Sequence, residues 1–279
     1  MFKKCLCAIL AVALLLGFAG CGRKRIPIPT EPTTIPTTEA PTEAPTEAPT
    51  EAPTEATTEP TTEPTTEPTE PPVILHSGLR EDGSFDEGTL FMGDSLTLLF
   101  LNHYLKTHGY LGDAKYISQA SSQLTVFMDG QSRITCSATN TLASKQFNGM
   151  LFNEAAASLG EEATAIYIMW GTNYTPSASA ESYIEIVDFL LENCPNATIH
   201  LQLISWANPN IIPCSVINDR ITGAYNHYQE IGEERVMLID TYTAIGQNVI
   251  SDGVHHNDIA RANWYQAIVD HATDNELSQ

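Results

Sequence analysis

The chain has 279 residues and a formal net charge of −21, from 13 Lys/Arg against 34 Asp/Glu. That balance argues against a nucleic-acid partner, which requires a basic face, and against tight docking on anionic lipid head groups. Composition shifts sharply along the chain and divides it into 1–21, 22–72 and 73–279.

The first segment opens with Lys3 and Lys4 and continues as an apolar stretch from Leu6 to Ala19. It is shorter than the about 20 residues of a relaxed membrane span and fits the apolar region of an export signal. It ends in Phe18-Ala19-Gly20-Cys21, which resembles a bacterial lipobox, with Phe18 where leucine is usual. That resemblance implies lipid modification of Cys21 after cleavage, and a lipid anchor on the outer face of the cytoplasmic membrane, at the bacterial cell surface. The competing reading is an ordinary secretory signal cut near Gly20, or an uncleaved anchor. Residues 22–72 carry 13 of the chain's 17 prolines and ten glutamates, in Pro-Thr-Glu-Ala and Thr-Thr-Glu-Pro repeats. Such a segment has almost nothing to bury and stays unfolded. Proline keeps it extended at roughly 3.1 Å per residue, so it reads as a disordered tether for the domain that follows.

Residues 73–279 alternate strand-like and helix-like runs. Strands are expected at 89–92, 114–118, 165–169, 198–204 and 236–240, and helices at 96–107, 145–158, 178–193, 215–231 and 258–273. This alternation predicts a three-layer α/β/α sandwich on a mostly parallel five-stranded sheet. The helix at 178–193 has 3.6-residue spacing in Tyr183, Ile186, Phe189 and Leu190, with Ser177 as a cap and Pro195 after its end. Residues 73–88 are expected to pack as an N-terminal extension. Residues 122–141 read as a short hairpin or a loop over the site.

Three fragments carry the chemistry. The run Thr89 to Met92 ends in Gly93-Asp94-Ser95 and an apolar helix follows, which puts Ser95 at a helix start on the carboxyl edge of the sheet. Open α/β sheets place ligands at that edge, and a helix start offers free N–H groups to an oxyanion. Asp252 and His255 are three residues apart on a loop before the last helix. That spacing lets the carboxylate hold one ring nitrogen while the other faces a serine. In Met169-Trp170-Gly171-Thr172-Asn173, Gly171 allows close backbone approach and the Asn173 amide can aim an N–H at a developing negative charge.

In this order the fragments resemble the SGNH subgroup of the GDSL hydrolases, from Leu90 to the last helix. Gly93-Asp94-Ser95-Leu96 matches the first block of that family, Gly171-Thr172-Asn173 the third, and Asp252-Gly253-Val254-His255 the fifth. The α/β-hydrolase alternative wants Gly-x-Ser-x-Gly, and position 97 is Thr. The resemblance implies an SGNH-like, flavodoxin-like fold, with Ser95, His255 and Asp252 as catalytic residues and Gly93, Asp94 and Gly171 in support. It implies an oxyanion hole from the Ser95 N–H, the Asn173 side chain and an N–H of the second block. That block here is Tyr116-Ile117-Ser118-Gln119-Ala120-Ser121-Ser122, without the family's glycine. Ala120 or Ser121 stands in for it. If the glycine is needed for a positive φ, the hole is misformed, and Tyr174 replaces a frequent aspartate.

No cofactor is needed for this chemistry, and no Cys/His spacing suggests a metal. His255-His256 is a poor metal pair because adjacent side chains diverge. Beyond the signal and Cys21, Cys136, Cys194 and Cys214 remain. They hold either one disulfide, with Cys194–Cys214 the pair to test, or buried free thiols. Trp206 is core or cleft lining. Beyond residue 72, eight Lys/Arg face 24 Asp/Glu, a net of −16, which suits a neutral ester substrate. The resemblance and the tether together imply a surface serine esterase, acting as a monomer, that removes acetyl or other short acyl groups from a glycan. Its alternatives are a glycan-binding protein without turnover, an acyltransferase, or a lipase on the same fold.

Overall fold

The computed structural model describes residues 72–135, 145–173, 178–206, 208, 212–250 and 252–278. The signal, Cys21, the tether, Cys136, Tyr174 and Ser177 lie outside the described residues.

Five strands form one sheet in the order β2-β1-β3-β4-β5. They are β1 (Thr89–Gly93), β2 (Lys115–Ser118), β3 (Ala165–Met169), β4 (Thr198–Gln202) and β5 (Val236–Ile239). Every pairing is parallel, with Leu90 opposite Ile166 and Ile166 opposite Ile199. Every residue of β1, β3 and β4 is buried, while β2 and β5 are partly open. That is the pattern of a parallel sheet covered on both faces.

Helix α1 runs Ser95–Phe100, widens into a π-helical stretch at Leu101–Leu105 and closes with Lys106–His108. Then come α2 (Phe152–Ala157), α3 (Ala180–Asn193), α4 (Cys214–Ile231), α5 (Thr241–Ile245) and α6 (Asp258–Asp274). α6 packs on α1 and α5, whereas α3 packs on α2 and α4. This division follows from right-handed crossovers. The chain steps one way from β1 to β2 and the other way from β3 onward, so the helices fall on opposite faces. The expected three-layer architecture is therefore the one observed.

The differences are local. The helix expected at 145–158 is a 3-10 turn, Lys145–Phe147, followed by the short α2. Between them Gly149 takes φ +87° and residues 149–151 pair with Arg133 and Ile134. β4 stops at Gln202 because Asn218 takes over the pairing. Its side chain accepts from Ile204 N at 2.7 Å and donates to Ile204 O at 2.9 Å. Asp240 is not the end of β5 but the cap of α5, accepting from Thr243 N at 2.9 Å. α3 is capped by Ser179 and buries Val187 in place of the expected Phe189. Phe189 is half-buried, edge-on to Phe127. In the stretch 122–135 a 3-10 turn forms at Leu124–Phe127. The N-terminal extension packs as expected: His76 bridges Ser278, and Phe85 is fully buried against Phe91 and Tyr167.

Candidate active site

The order 2-1-3-4-5 reverses direction between β1 and β3. Their flanking helices leave on opposite faces and open a crevice at the carboxyl ends of the strands. The β1–α1 turn and the segment after β3 meet there.

Gly93 ends β1 with no room for a side chain: a Cβ would collide with Thr97 Oγ1 and the Met169 carbonyl. Thr97 uses that closeness, donating from Oγ1 to Met169 O at 2.9 Å. Asp94 caps α1 and is fully buried. Its Oδ1 accepts from Leu96 N at 3.0 Å, and its Oδ2 accepts from Thr172 N at 2.9 Å and Gly171 N at 3.3 Å. Burial pushes this carboxyl's pKa up, against the pull of those N–H donors. One side chain thereby ties the serine turn to the turn after β3. Gly171, at φ +141°, faces the Tyr183 hydroxyl, which a Cβ would approach to 2.6 Å. That hydroxyl donates to Trp170 O at 2.6 Å.

Ser95 opens α1 and is half-buried. Its Oγ lies 3.1 Å from His255 Nε2. His255 Nδ1 lies 2.6 Å from Asp252 Oδ2. The other carboxylate oxygen of Asp252 accepts from Val254 N at 2.8 Å and His255 N at 2.9 Å. Burial pushes the Asp252 carboxyl up, but the bonds from the His255 ring and the two N–H groups outweigh it and hold it down at about 2. An ionised Asp252 accepts only, so the neutral ring of His255 takes the tautomer with its proton on Nδ1 and a lone pair on Nε2. The Ser95 hydroxyl then donates to that lone pair, the arrangement a nucleophile and its base require. The loop is held by Ile250 N→His255 O at 2.8 Å and Asn257 N→Asn248 O at 3.1 Å.

The second block begins within β2 and runs past its end. Gln119 N donates to Gly93 O at 3.2 Å and Ser122 N to Gln119 O at 3.2 Å, while the N–H groups of Ala120 and Ser121 have no backbone acceptor among the described residues. Ser121 sits at φ +61°. The left-handed conformation that a glycine would supply is therefore adopted by serine, and the expected misforming does not follow from the missing glycine. Asn173 Nδ2 donates to Ser122 O at 3.0 Å, and Trp170 Nε1 shares that carbonyl at 3.3 Å. The Asn173 amide is thus fastened to the second block, and its second N–H has no acceptor among the described residues. Beside it lies a hollow of only about 10 Å³, lined by Leu124, Gly171, Asn173, Ala178, Tyr183, Ile217 and Arg220 and by none of Ser95, Asp252 and His255. Larger hollows of about 440 and 500 Å³ lie elsewhere and include none of Ser95, Asp252 and His255.

Trp206 is core and not cleft lining: it is 5% exposed and donates from Nε1 to Ile212 O at 3.1 Å. Cys194 and Cys214 are buried free thiols, so they are not joined to each other. Burial pushes the Cys194 thiol up to about 11. The sequence reading missed Asn208, which donates from Nδ2 to Asp252 O at 3.0 Å. No spacing rule points to a residue 44 positions away. It also missed His256 as a structural partner of the site, although the alternation of adjacent side chains marks it.

Fold and site together define an α/β protein with a hydrogen-bonded Ser–His–Asp series at the switch point of a parallel sheet. No family model and no curated protein matches the sequence. Among solved structures the chain is similar to a carbohydrate esterase family 3 from Talaromyces cellulolyticus, at 15% identity and TM-score 0.44, over 68% of this chain and 99% of that one. A family two carbohydrate esterase from Clostridium thermocellum, in complex with cellohexaose, is similar at 15% identity and TM-score 0.45, over 67% of this chain and 64% of that one. A member of the lipolytic protein G-D-S-L family from Veillonella parvula is similar at 14% identity and TM-score 0.43, over 66% of this chain and 97% of that one.

Proposed function

We propose that this chain is a serine esterase of the SGNH/GDSL type. The observation that carries the reading is the unbroken series Ser95 Oγ, His255 Nε2, Asp252 Oδ2, with steps of 3.1 and 2.6 Å. Ser95 Oγ attacks the ester carbonyl as His255 Nε2 takes its proton, and Asp252 stabilises the resulting imidazolium. The tetrahedral oxyanion is met by the Ser95 N–H, the second N–H of Asn173 and an N–H at Ala120 or Ser121. As the first residue of α1, Ser95 has no intrahelical acceptor for its N–H. Collapse expels the alcohol, which takes the proton from His255. Water then repeats the sequence on the acyl-enzyme, with His255 as base again, and releases the acid and free Ser95.

The substrate in this reading is an acetyl or other short-chain ester of a carbohydrate. The acidic domain favours a neutral glycan. The lipobox at Cys21 and the tether at 22–72 support a surface lipoprotein that carries its domain outward from the membrane. The missing second-block glycine motivates the glycan-binding alternative, and the φ of Ser121 takes away that motive.

Acetate release from acetylated glycans and from a short-chain aryl acetate tests the reading, with Ser95→Ala beside the parent chain. Turnover that vanishes in the variant is expected. Equal turnover in both would remove Ser95 from the mechanism, and cleavage of long-chain esters alone would replace the glycan substrate with a lipid. Membrane fractionation of Cys21→Ala tests the anchor: the variant is expected in the soluble fraction.

A further inference from the structure

His256 follows the base directly but faces the other way. Val249 and His256 form an antiparallel bridge, and in extended backbone successive side chains point to opposite sides. His255 turns out to Ser95. His256 turns inward, 2% exposed, and its Nε2 donates to Ser205 O at 2.8 Å. Ser205 lies just beyond β4, where its own hydroxyl donates to Gly246 O and Leu203 N donates to Ile239 O. The carbonyl that receives His256 is therefore fixed to the β4–β5 edge and not to the catalytic loop.

The same ring meets Trp264 edge-on, with centroids 5.7 Å apart at 84°. Trp264 is fully buried and donates from Nε1 to Gln202 Oε1 at 2.6 Å. Its indole stacks on Phe100 at 4.1 Å and 13°. Phe100 belongs to α1, the helix that Ser95 opens. One indole thus touches both the nucleophile's helix and the residue next to the base.

The geometry points to His256, packed on Trp264, as a positioning residue that sets the distance between Ser95 and His255. This inference rests on the esterase reading, and neither residue touches the reacting atoms. A base works within about 2.6–3.2 Å of the proton it takes. The His255 side chain is 31% exposed, and its bonds to Asp252 stay within the same turn. His256 connects that turn to the sheet. A misplacement of about 1 Å can cost on the order of 100-fold in rate. The anchor works as a neutral ring with one donor: Nε2 carries the proton, and Nδ1 has no partner among the described residues. Burial, Arg261 and His255 oppose a second proton, and they hold the ring's pKa down to about 4 against the pull of the Ser205 carbonyl.

The test uses the full chain and two substitutions. His256→Phe keeps the ring's size and its edge contact with Trp264 but removes the donor. His256→Gln keeps an N–H at similar reach. With a short-chain aryl acetate, His256→Phe is expected to lower kcat about 10- to 100-fold with KM within about twofold, and His256→Gln to stay within about threefold of the parent. A second readout does not need turnover: the low-field proton resonance of His255 Nδ1–H, expected in the parent and in His256→Gln and shifted or broadened in His256→Phe. Phe100→Leu reads the same distance from the nucleophile's side and keeps the test open if His256→Phe does not fold. Its expected result is a lowered kcat at unchanged KM. Full activity in folded His256→Phe, or equal losses in the Phe and Gln variants, overturns the inference. If the parent hydrolyses no ester, the esterase reading fails while the resonance comparison still decides the role of His256.

Discussion

At position 121 the backbone is left-handed, φ +61°, and carries a serine side chain. A non-glycine residue there costs roughly 1–2 kcal/mol, and such strain persists where the surroundings hold it in place. Here the holding contacts are Ser122 N→Gln119 O and the clasp of Asn173 and Trp170 on Ser122 O. Ser121→Gly relieves the strain but loosens the unfolded chain by about 0.4–1 kcal/mol. Its denaturant midpoint is therefore expected close to that of the parent, with kcat retained. Ser121→Val puts a β-branched residue at positive φ and is expected to lose stability by about 1–3 kcal/mol, with a lower kcat. A Val variant that matches the Gly variant in both would remove this conformation from the account of the site. Asp252→Asn tests the other end. An amide holds His255 in the wrong tautomer, so kcat is expected to fall about 10⁴-fold, as in other triads. The Asp252 side chain is 43% exposed, so the melting temperature is expected to change little.

Among elements, the strands that bear the site are the ones the sequence marks best. β1 and β3 are short apolar runs closed by Gly93-Asp94 and by Gly171, and buried central strands take that form. Ser95, Asn173, Asp252 and His255 were legible because each stands at the end of such a run or in a short turn, where spacing translates directly into contact. Helix bounds were less legible. Phe147, Phe152 and Ala155 fit one continuous helix, but Asn148-Gly149 is a turn signal, and pairing of 149–151 with Arg133 and Ile134 outcompetes helical continuation. The π stretch at Leu101–Leu105 in α1 carries no sequence mark. Asn218 could not be read as a substitute strand, since its bonds to Ile204 depend on the placement of α4. At this scale Gly93→Ala is the informative change. Its methyl would strike Thr97 and the Met169 carbonyl, and such overpacking costs about 1–3 kcal/mol. A lowered urea midpoint together with a lowered kcat is expected, because β1, α1 and β3 would have to part at the switch point. An unchanged midpoint would mean that the strands can separate there without loss.

For the molecule as a whole, two buried histidines make stability depend on pH. His200 stacks on Tyr167 at 4.5 Å, and its Nε2 donates to His76 O at 2.9 Å. Burial pushes its pKa down to about 3, helped by His271. His256 is pushed down to about 4, again chiefly by burial. Below the ordinary histidine range the unfolded chain takes up these protons while the folded chain does not. Stability therefore falls as pH drops from about 6.5, and each ring contributes a slope of up to about 1.4 kcal/mol per pH unit until its folded pKa is reached. Asp252, held at about 2, adds a loss in the same direction only below the ordinary carboxylate range. The raised pKa of buried Asp94 works the other way. These carboxyl contributions are common to the parent and a histidine variant, so a slope difference isolates the ring. His200→Gln keeps a donor for His76 O without a titrating group. Urea unfolding between pH 4 and 6 is expected to give the parent a steeper rise of stability with pH than His200→Gln. The difference should approach about 1.4 kcal/mol per unit. Equal slopes would mean that His200 takes its proton in the folded state as readily as in the unfolded one, by opening the contact between the N-terminal extension and β4. That contact is His76 N→Thr198 Oγ1 at 2.7 Å. Faster amide exchange at His76 on acidification would then accompany the equal slopes.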